Sequence, residues 1–130
     1  MRSLVPALIA VALFGSACGT DDPSPASSGS SKLADLTITV DHGSGAAKTL
    51  ELTCDAPTDS DVCGAAAGVS AADLAPTPGN TACTQLFGGP ETATIKGTIR
   101  GDAVNASFSR SDGCEIERWA KVEPLLSHVK

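Results

Sequence analysis

The chain alternates apolar and polar side chains at Leu36-Thr37-Ile38-Thr39-Val40. Successive side chains of a β-strand point to opposite faces of a sheet, so this alternation predicts a strand with one buried face. The pattern extends from Leu33 to Asp41, and His42-Gly43-Ser44-Gly45 then supplies the residues of a turn. Residues 48 to 54 alternate again, and the two runs together predict an antiparallel hairpin.

A second hairpin is expected later in the chain. Residues 92 to 99 alternate strongly, and Val104, Ala106 and Phe108 line one face of a return strand. Arg100-Gly101-Asp102 lies between them. We interpret it as a tight turn and not as an adhesion motif, because a glycine between charged residues is ordinary at the tip of a hairpin.

Two short helices are predicted between the hairpins, where the chain is rich in Ala, Asp, Pro and Gly. Ser60 or Asp59 is suited to cap a helix from Val62 to Ala67. A further helical turn is expected at Ala71 to Leu74. Both segments are short and rich in alanine, so we expect them to depend on packing against the sheet.

The C-terminal region has the spacing of one more helical segment. Ile116, Trp119 and Val122 fall on one side of a helix that begins at Glu115 and that Pro124 should end. We expect Trp119 to lie in the core. Two hairpins and short helices predict a small antiparallel α+β domain.

Composition limits the function. The chain has 130 residues, of which 42% are hydrophobic and 3% aromatic, which fits one small domain with an aliphatic core and not a large enzyme with a deep cleft. The formal net charge is −6, so the chain lacks the basic surface that nucleic-acid binding requires. We expect no nucleic-acid partner.

Residues 1 to 17 are typical of an export signal of the lipoprotein type. Arg2 precedes an apolar run from Leu4 to Phe14, which is too short for a convincing membrane span. Small residues then lead directly to Cys18, which is expected to become the acylated first residue. The alternative is ordinary cleavage after Ala17, which would leave Cys18 as a free thiol.

Residues 18 to 32 have the composition of a flexible, lipid-anchored tether, rich in Ser, Gly and Pro and without apolar periodicity. Residues 33 to 130 are expected to form the folded domain. Contact with the membrane is expected only through the lipid anchor. The domain should therefore lie at the extracytoplasmic face of the cell membrane or be secreted.

The remaining cysteines are Cys54, Cys63, Cys83 and Cys114. Their wide spacing and the export signal favour disulfides over a metal site, although sequence alone leaves three pairings open. Neither His42 nor His128 belongs to a recognisable nucleophilic pattern, and no Gly-x-Ser-x-Gly motif is present. We expect no cofactor, no metal and no enzymatic activity.

The most informative segment for function is Thr-Ala-Cys-Thr-Gln-Leu-Phe-Gly-Gly-Pro, residues 81 to 90. It is an uncharged, partly apolar run that follows Cys83 directly and closes with Gly88, Gly89 and Pro90. Such a run could pair as the edge of a sheet. A cysteine at one end and a glycine-proline element at the other predict a stiffened, exposed segment.

These features resemble the Streptomyces subtilisin inhibitor-like proteins over residues 36 to 119. The resemblance is carried by an ordered series of motifs that surrounds the four cysteines: Leu-Thr-Ile-Thr-Val, Lys-Thr-Leu-Glu-Leu-Thr-Cys, Cys-Thr-Gln-Leu-Phe-Gly-Gly-Pro, Gly-Thr-Ile-Arg-Gly, Phe-Ser-Arg and Gly-Cys-Glu-Ile. It implies an antiparallel sheet of about five strands with two short helices. It also implies disulfides from Cys54 to Cys63 and from Cys83 to Cys114, and a homodimer is usual in the family.

The resemblance further implies a serine protease inhibitor whose reactive bond is Gln85-Leu86. A loop that is held in the extended form of a substrate loses little further entropy on binding a protease. Gln85 offers neither a cation nor an aromatic ring to the primary pocket, so we expect inhibition of subtilisin-type enzymes first, then chymotrypsin, then trypsin. The protease should also contact Cys83, Thr84, Phe87 and Gly88, and Asp112 is a candidate for supporting the loop.

Two other functions remain open from the sequence. The domain could be a surface binding or structural lipoprotein module that does not inhibit proteases. Alternatively, Gln85 could be an acyl donor for a transglutaminase, because a glutamine on a stiff exposed loop is chemically accessible.

Overall fold

The computed structural model describes residues 31–130 apart from Pro57, and within them the chain forms four strands and three helices. The strands are β1 (Ser31–Asp41), β2 (Lys48–Ala56), β3 (Thr92–Ile99) and β4 (Asp102–Phe108), and the helices are α1 (Asp61–Gly68), α2 (Ala71–Leu74) and α3 (Gly113–Leu126). The predicted signal, Cys18 and the predicted tether up to residue 30 lie outside the described residues. The last two residues assigned to the tether, Ser31 and Lys32, begin β1.

The four strands form one antiparallel sheet in the order β2-β1-β3-β4. Both predicted hairpins are present, and β1 lies inside the sheet between β2 and β3. Leu36 pairs with Leu52 on one side and with Gly97 on the other. The inward-facing residues of β1 are at most 2% exposed: Ala34, Leu36, Ile38 and Val40. The alternation of β1 is therefore the centre of the fold.

The prediction of about five strands with two short helices is wrong in its counts, since the described residues have four strands and three helices. Residues 81 to 90, which could have formed an edge strand, form no regular element. Two of their backbone bonds go instead to the β4–α3 connection and to the start of α3: the Gly88 amide donates to the Arg110 carbonyl at 2.7 Å, and the Thr84 carbonyl accepts from the Gly113 amide at 3.0 Å. The fold is α+β, as predicted.

The third helix, α3, is longer than predicted. Asp112 caps it, because its carboxylate accepts a hydrogen bond from the Glu115 amide at 3.0 Å. Pro124 does not end the helix, which continues to Leu126. Pro124 lies on the exposed side in the last turn, where water can hydrate the carbonyl that the missing N–H leaves unpaired.

The core lies between one face of the sheet and helices α1 and α3. Trp119 is half-buried at its margin and packs against it. On α3 the buried apolar residues are Val122, Leu125 and Leu126. None of the helices in the described part of the chain is long and apolar enough to cross a membrane.

The tip of the second hairpin is fastened to α1. Arg100 and Gly101 have positive φ angles of 50° and 86°, as a tight hairpin turn requires. The Arg100 guanidinium donates to the Val69 carbonyl at 3.1 Å and to the Ala67 carbonyl. Ala67 lies in the last turn of α1 and Val69 is its C-cap residue, so the guanidinium lies at the C-terminus of the helix, where a cation is favourable. The arginine of the Arg-Gly-Asp turn therefore has a structural role.

Arg118 is the buried charge of the domain, at 9% exposure among the described residues. Its guanidinium donates to the Ala75 carbonyl at 2.9 Å and to the Ser107 carbonyl at 3.2 Å, and it pairs with Glu115 at 2.7 Å. It also lies 4.7 Å from the centre of the Phe108 ring. The role of this residue could not be predicted from the sequence: its side chain joins α3 to the end of α2 and to β4.

Arg118→Ala should lower the free energy of unfolding by about 3–5 kcal/mol, because it leaves a partly buried carboxylate without its cation. Chemical denaturation would measure the change. Glu117→Ala, at an exposed position on the same helix, should change it by less than about 0.5 kcal/mol. Equal effects of the two substitutions would contradict the structural role assigned to Arg118.

Candidate reactive loop

The segment from Thr81 to Pro90, here called the loop, connects α2 to β3 and lies against the N-terminus of α3. Its first attachment is covalent, since Cys83 forms a disulfide with Cys114, the second residue of α3. The other disulfide, Cys54–Cys63, joins β2 to α1. Both pairings are those that the family resemblance implies.

Two backbone hydrogen bonds bracket three residues of the loop. The Thr84 carbonyl accepts from the Gly113 amide, and the Gly88 amide donates to the Arg110 carbonyl. Gln85, Leu86 and Phe87, here called the arch, lie between these two bonds and are all exposed. The arch therefore stands away from the domain while one end is fixed to the first residue of α3 and the other to the connection between β4 and α3.

Glycines allow the loop to approach α3 closely. A Cβ atom on Gly113 would lie 2.0 Å from the Thr84 hydroxyl oxygen, and one on Gly88 would lie 2.8 Å from Cγ1 of Ile116. Gly88 is half-buried against Ile116, so only part of it is available to a partner. The sequence predicted that Cys83 and the glycine-proline end stiffen this segment, but the contacts that require glycine could not be derived from it.

The C-terminal end of the loop is supported by an ion pair at Glu91 and by packing of Pro90 against the turn between β1 and β2. Glu91 and Arg110 form an ion pair at 3.4 Å, although Oε2 of Glu91 and Nε of Arg110 have no hydrogen-bond partner within the described residues. A Cβ on Gly43, in the turn between β1 and β2, would lie 2.4 Å from Cγ of Pro90. The loop is thus supported from the sheet side as well as from α3.

Asp112 supports the loop through the helix. Its carboxylate caps α3 and lies 3.5 Å from the Ser111 hydroxyl. The next two residues, Gly113 and Cys114, carry the hydrogen bond and the disulfide that hold the loop. Fixing the first turn of α3 therefore fixes both attachments.

Asp112 also lies near Cys83 and Cys114, with one potential ligand atom of each residue within 4.8 Å of the others. Both sulfur atoms belong to the disulfide, and metal ions bind cysteine as the thiolate. This donor set therefore does not fit a metal while the disulfide is intact.

Comparison with known proteins adds no assignment: no protein-family model, curated protein or solved structure matches the chain. The loop geometry is what bears on function. It combines an exposed peptide segment with attachments on both sides, and a flexible surface loop lacks those attachments.

Gly113→Ala should loosen the loop while leaving the sheet intact. Gly113 does not have a positive φ, so the strain arises from the added methyl group against the Thr84 side chain. Displacing Thr84 weakens the bond to its carbonyl, and hydrogen exchange at the amide of residue 113 should accelerate about tenfold. Exchange measured by NMR would test this.

The matched control is the double variant Thr84→Ala, Gly113→Ala. It removes the hydroxyl that the new methyl group meets, so the exchange rate should return close to that of the parent. An unchanged rate in the single variant would show that Thr84 is not held tightly against α3.

Proposed function

We propose that this protein inhibits subtilisin-type serine proteases and presents the Gln85-Leu86 bond as a substrate-like segment. The observation that supports this most is the bracketing of the arch by the Thr84–Gly113 and Gly88–Arg110 hydrogen bonds. The proposal includes membership of the subtilisin inhibitor-like family, and the choice of the Gln85-Leu86 bond within the arch comes from that resemblance.

Rigidity favours tight binding to a protease. A free peptide loses conformational entropy when it becomes extended in the cleft, whereas the arch is already fixed at both ends. Cys83 and Thr84 precede the bond and can add to the strands of a protease cleft. Thr84 and Phe87 are exposed, while Cys83 and Gly88 are half-buried and offer mainly backbone.

The same attachments favour resynthesis of a cleaved bond. Attack of the catalytic serine on the Gln85 carbonyl would form an acyl-enzyme and release the amine of Leu86. The Thr84 hydrogen bond and the Cys83 disulfide would hold the acyl side, and the Gly88 hydrogen bond would hold the amine side. The amine would stay near the acyl carbon, so religation would compete with hydrolysis.

The disulfides are compatible with an oxidising, extracytoplasmic location. We propose that acylation of Cys18 anchors the protein there, where it would meet exported proteases. The net charge of −6 gives a polar surface that suits this setting.

The purified protein should inhibit subtilisin stoichiometrically and trypsin weakly. Gln85→Lys should then raise trypsin inhibition by at least about tenfold, because a cation enters the acidic primary pocket of trypsin. Titration of both enzymes would measure these effects. The matched control is Thr84→Lys, which adds the same charge at the neighbouring exposed residue and should not create trypsin inhibition.

Failure of the parent to inhibit subtilisin would overturn the proposal and favour a non-inhibitory surface module. A gain of trypsin inhibition with Thr84→Lys in place of Gln85→Lys would move the reactive bond by one residue.

A second candidate function follows from the exposure of Gln85, which is the only glutamine of the chain. A transglutaminase would find its acyl donor on a protruding segment whose side chain makes no hydrogen bond within the described residues. A labelled primary amine should then be incorporated once per chain and not at all in Gln85→Asn. Absence of label in the parent would remove this candidate without affecting the inhibitor proposal.

A further inference from the structure

Two large apolar side chains are exposed in the described part of the chain, and they are neighbours in the arch. Leu86 is 63% exposed and Phe87 is 70% exposed. Every other Leu, Ile, Val, Phe and Trp of the described residues is buried or half-buried. Contiguous apolar surface that stays exposed on a small domain marks a contact site more often than apolar side chains that are scattered singly.

Folding of the domain does not explain this exposure. The bonds at Thr84 and Gly88 hold the backbone on either side of the arch, and neither Leu86 nor Phe87 belongs to the core. Leu86 and Phe87 therefore contribute little to folding, and their apolar surface remains available to a partner.

Gln85 differs from Leu86 and Phe87 in the binding free energy that its side chain can contribute in a protease pocket. Its amide must exchange water for new hydrogen bonds when it enters a pocket, so its net contribution is small unless every bond is replaced. Leu86 and Phe87 gain affinity in proportion to the apolar area that they bury. The larger gain is thus expected on the amine side of the Gln85-Leu86 bond.

We propose that the target protease recognises this loop chiefly through Leu86 and Phe87, which occupy apolar pockets on the amine side of the presented bond. This inference rests on the proposed inhibition and names its main specificity determinant. The partner it selects is a protease with apolar pockets on that side. Gln85 then needs only to be tolerated by the primary pocket.

Inhibition constants against subtilisin would test this with three truncations. Leu86→Ala and Phe87→Ala should each weaken inhibition by about tenfold or more, whereas Gln85→Ala should weaken it by less than about threefold. All three variants should keep the midpoint of chemical denaturation of the parent, because exposed side chains contribute little to folding. That second measurement separates lost contact from lost structure.

Two controls refine the test. Phe87→Leu keeps an apolar side chain and should retain inhibition within about threefold of the parent, in contrast to Phe87→Ala. Thr81→Ala changes an exposed loop residue outside the arch and should have no measurable effect.

A larger loss with Gln85→Ala than with Leu86→Ala and Phe87→Ala would overturn the inference and leave the proposed function standing. No inhibition by the parent would instead remove the proposed function, and the inference with it. The inference would also fail if the two apolar truncations left inhibition unchanged. If they then abolished self-association in sedimentation, or binding to phosphatidylglycerol vesicles, the partner of Leu86 and Phe87 would be a second copy of the chain or a lipid surface.

Discussion

The position of α3 depends on the hydrogen bonds and the ion pair of one buried residue, Arg118. Arg118 bonds to the Ala75 carbonyl, just before the loop, and to the Ser107 carbonyl, just before the connection that supports the loop. A buried guanidinium that lost these partners would be strongly unfavourable. The interaction that orients the helix thus also holds the end of α2, which leads to the loop, and the end of β4, which leads to the connection that supports the loop.

Different residues determine the stability of the domain and the proposed recognition of a protease. The core is formed by apolar residues of the sheet and of α1 and α3, most of them aliphatic, whereas the arch contributes almost nothing to it. Side chains of the arch can therefore change with little cost in folding free energy. The attachments cannot, because the disulfide, the glycines at 88 and 113 and the cap at Asp112 all depend on one another's positions.

Much of the fold could be predicted from the sequence because period-two alternation directly reports burial on one face of a sheet. Ile38 and Ile95 are completely buried and pair with each other as that pattern requires. Prediction failed where tertiary contacts override local preference. Pro124 is tolerated because it lies on the exposed side of a helix end, and residues 81 to 90 are not a strand because their hydrogen bonds go to a neighbouring connection. The candidate loop could be located from the sequence, but the partners Arg110 and Gly113 could not, since they are far away along the chain.

The placement of β1 between β2 and β3 also has a kinetic consequence. β2 follows β1 through a short turn, but Ile38 must find Ile95, 57 positions further along the chain (95 − 38 = 57). Pairing at such separation requires the chain to close a long loop. The conformational entropy is lost before the stabilising contacts form, and this slows folding. The Cys54–Cys63 bridge, with a sequence separation of 9, shortens a minor part of this path, and the Cys83–Cys114 bridge does not shorten it, because Cys114 lies beyond Ile95. Until β3 reaches its place, one edge of β1 keeps its backbone N–H and C=O groups without a strand to pair with.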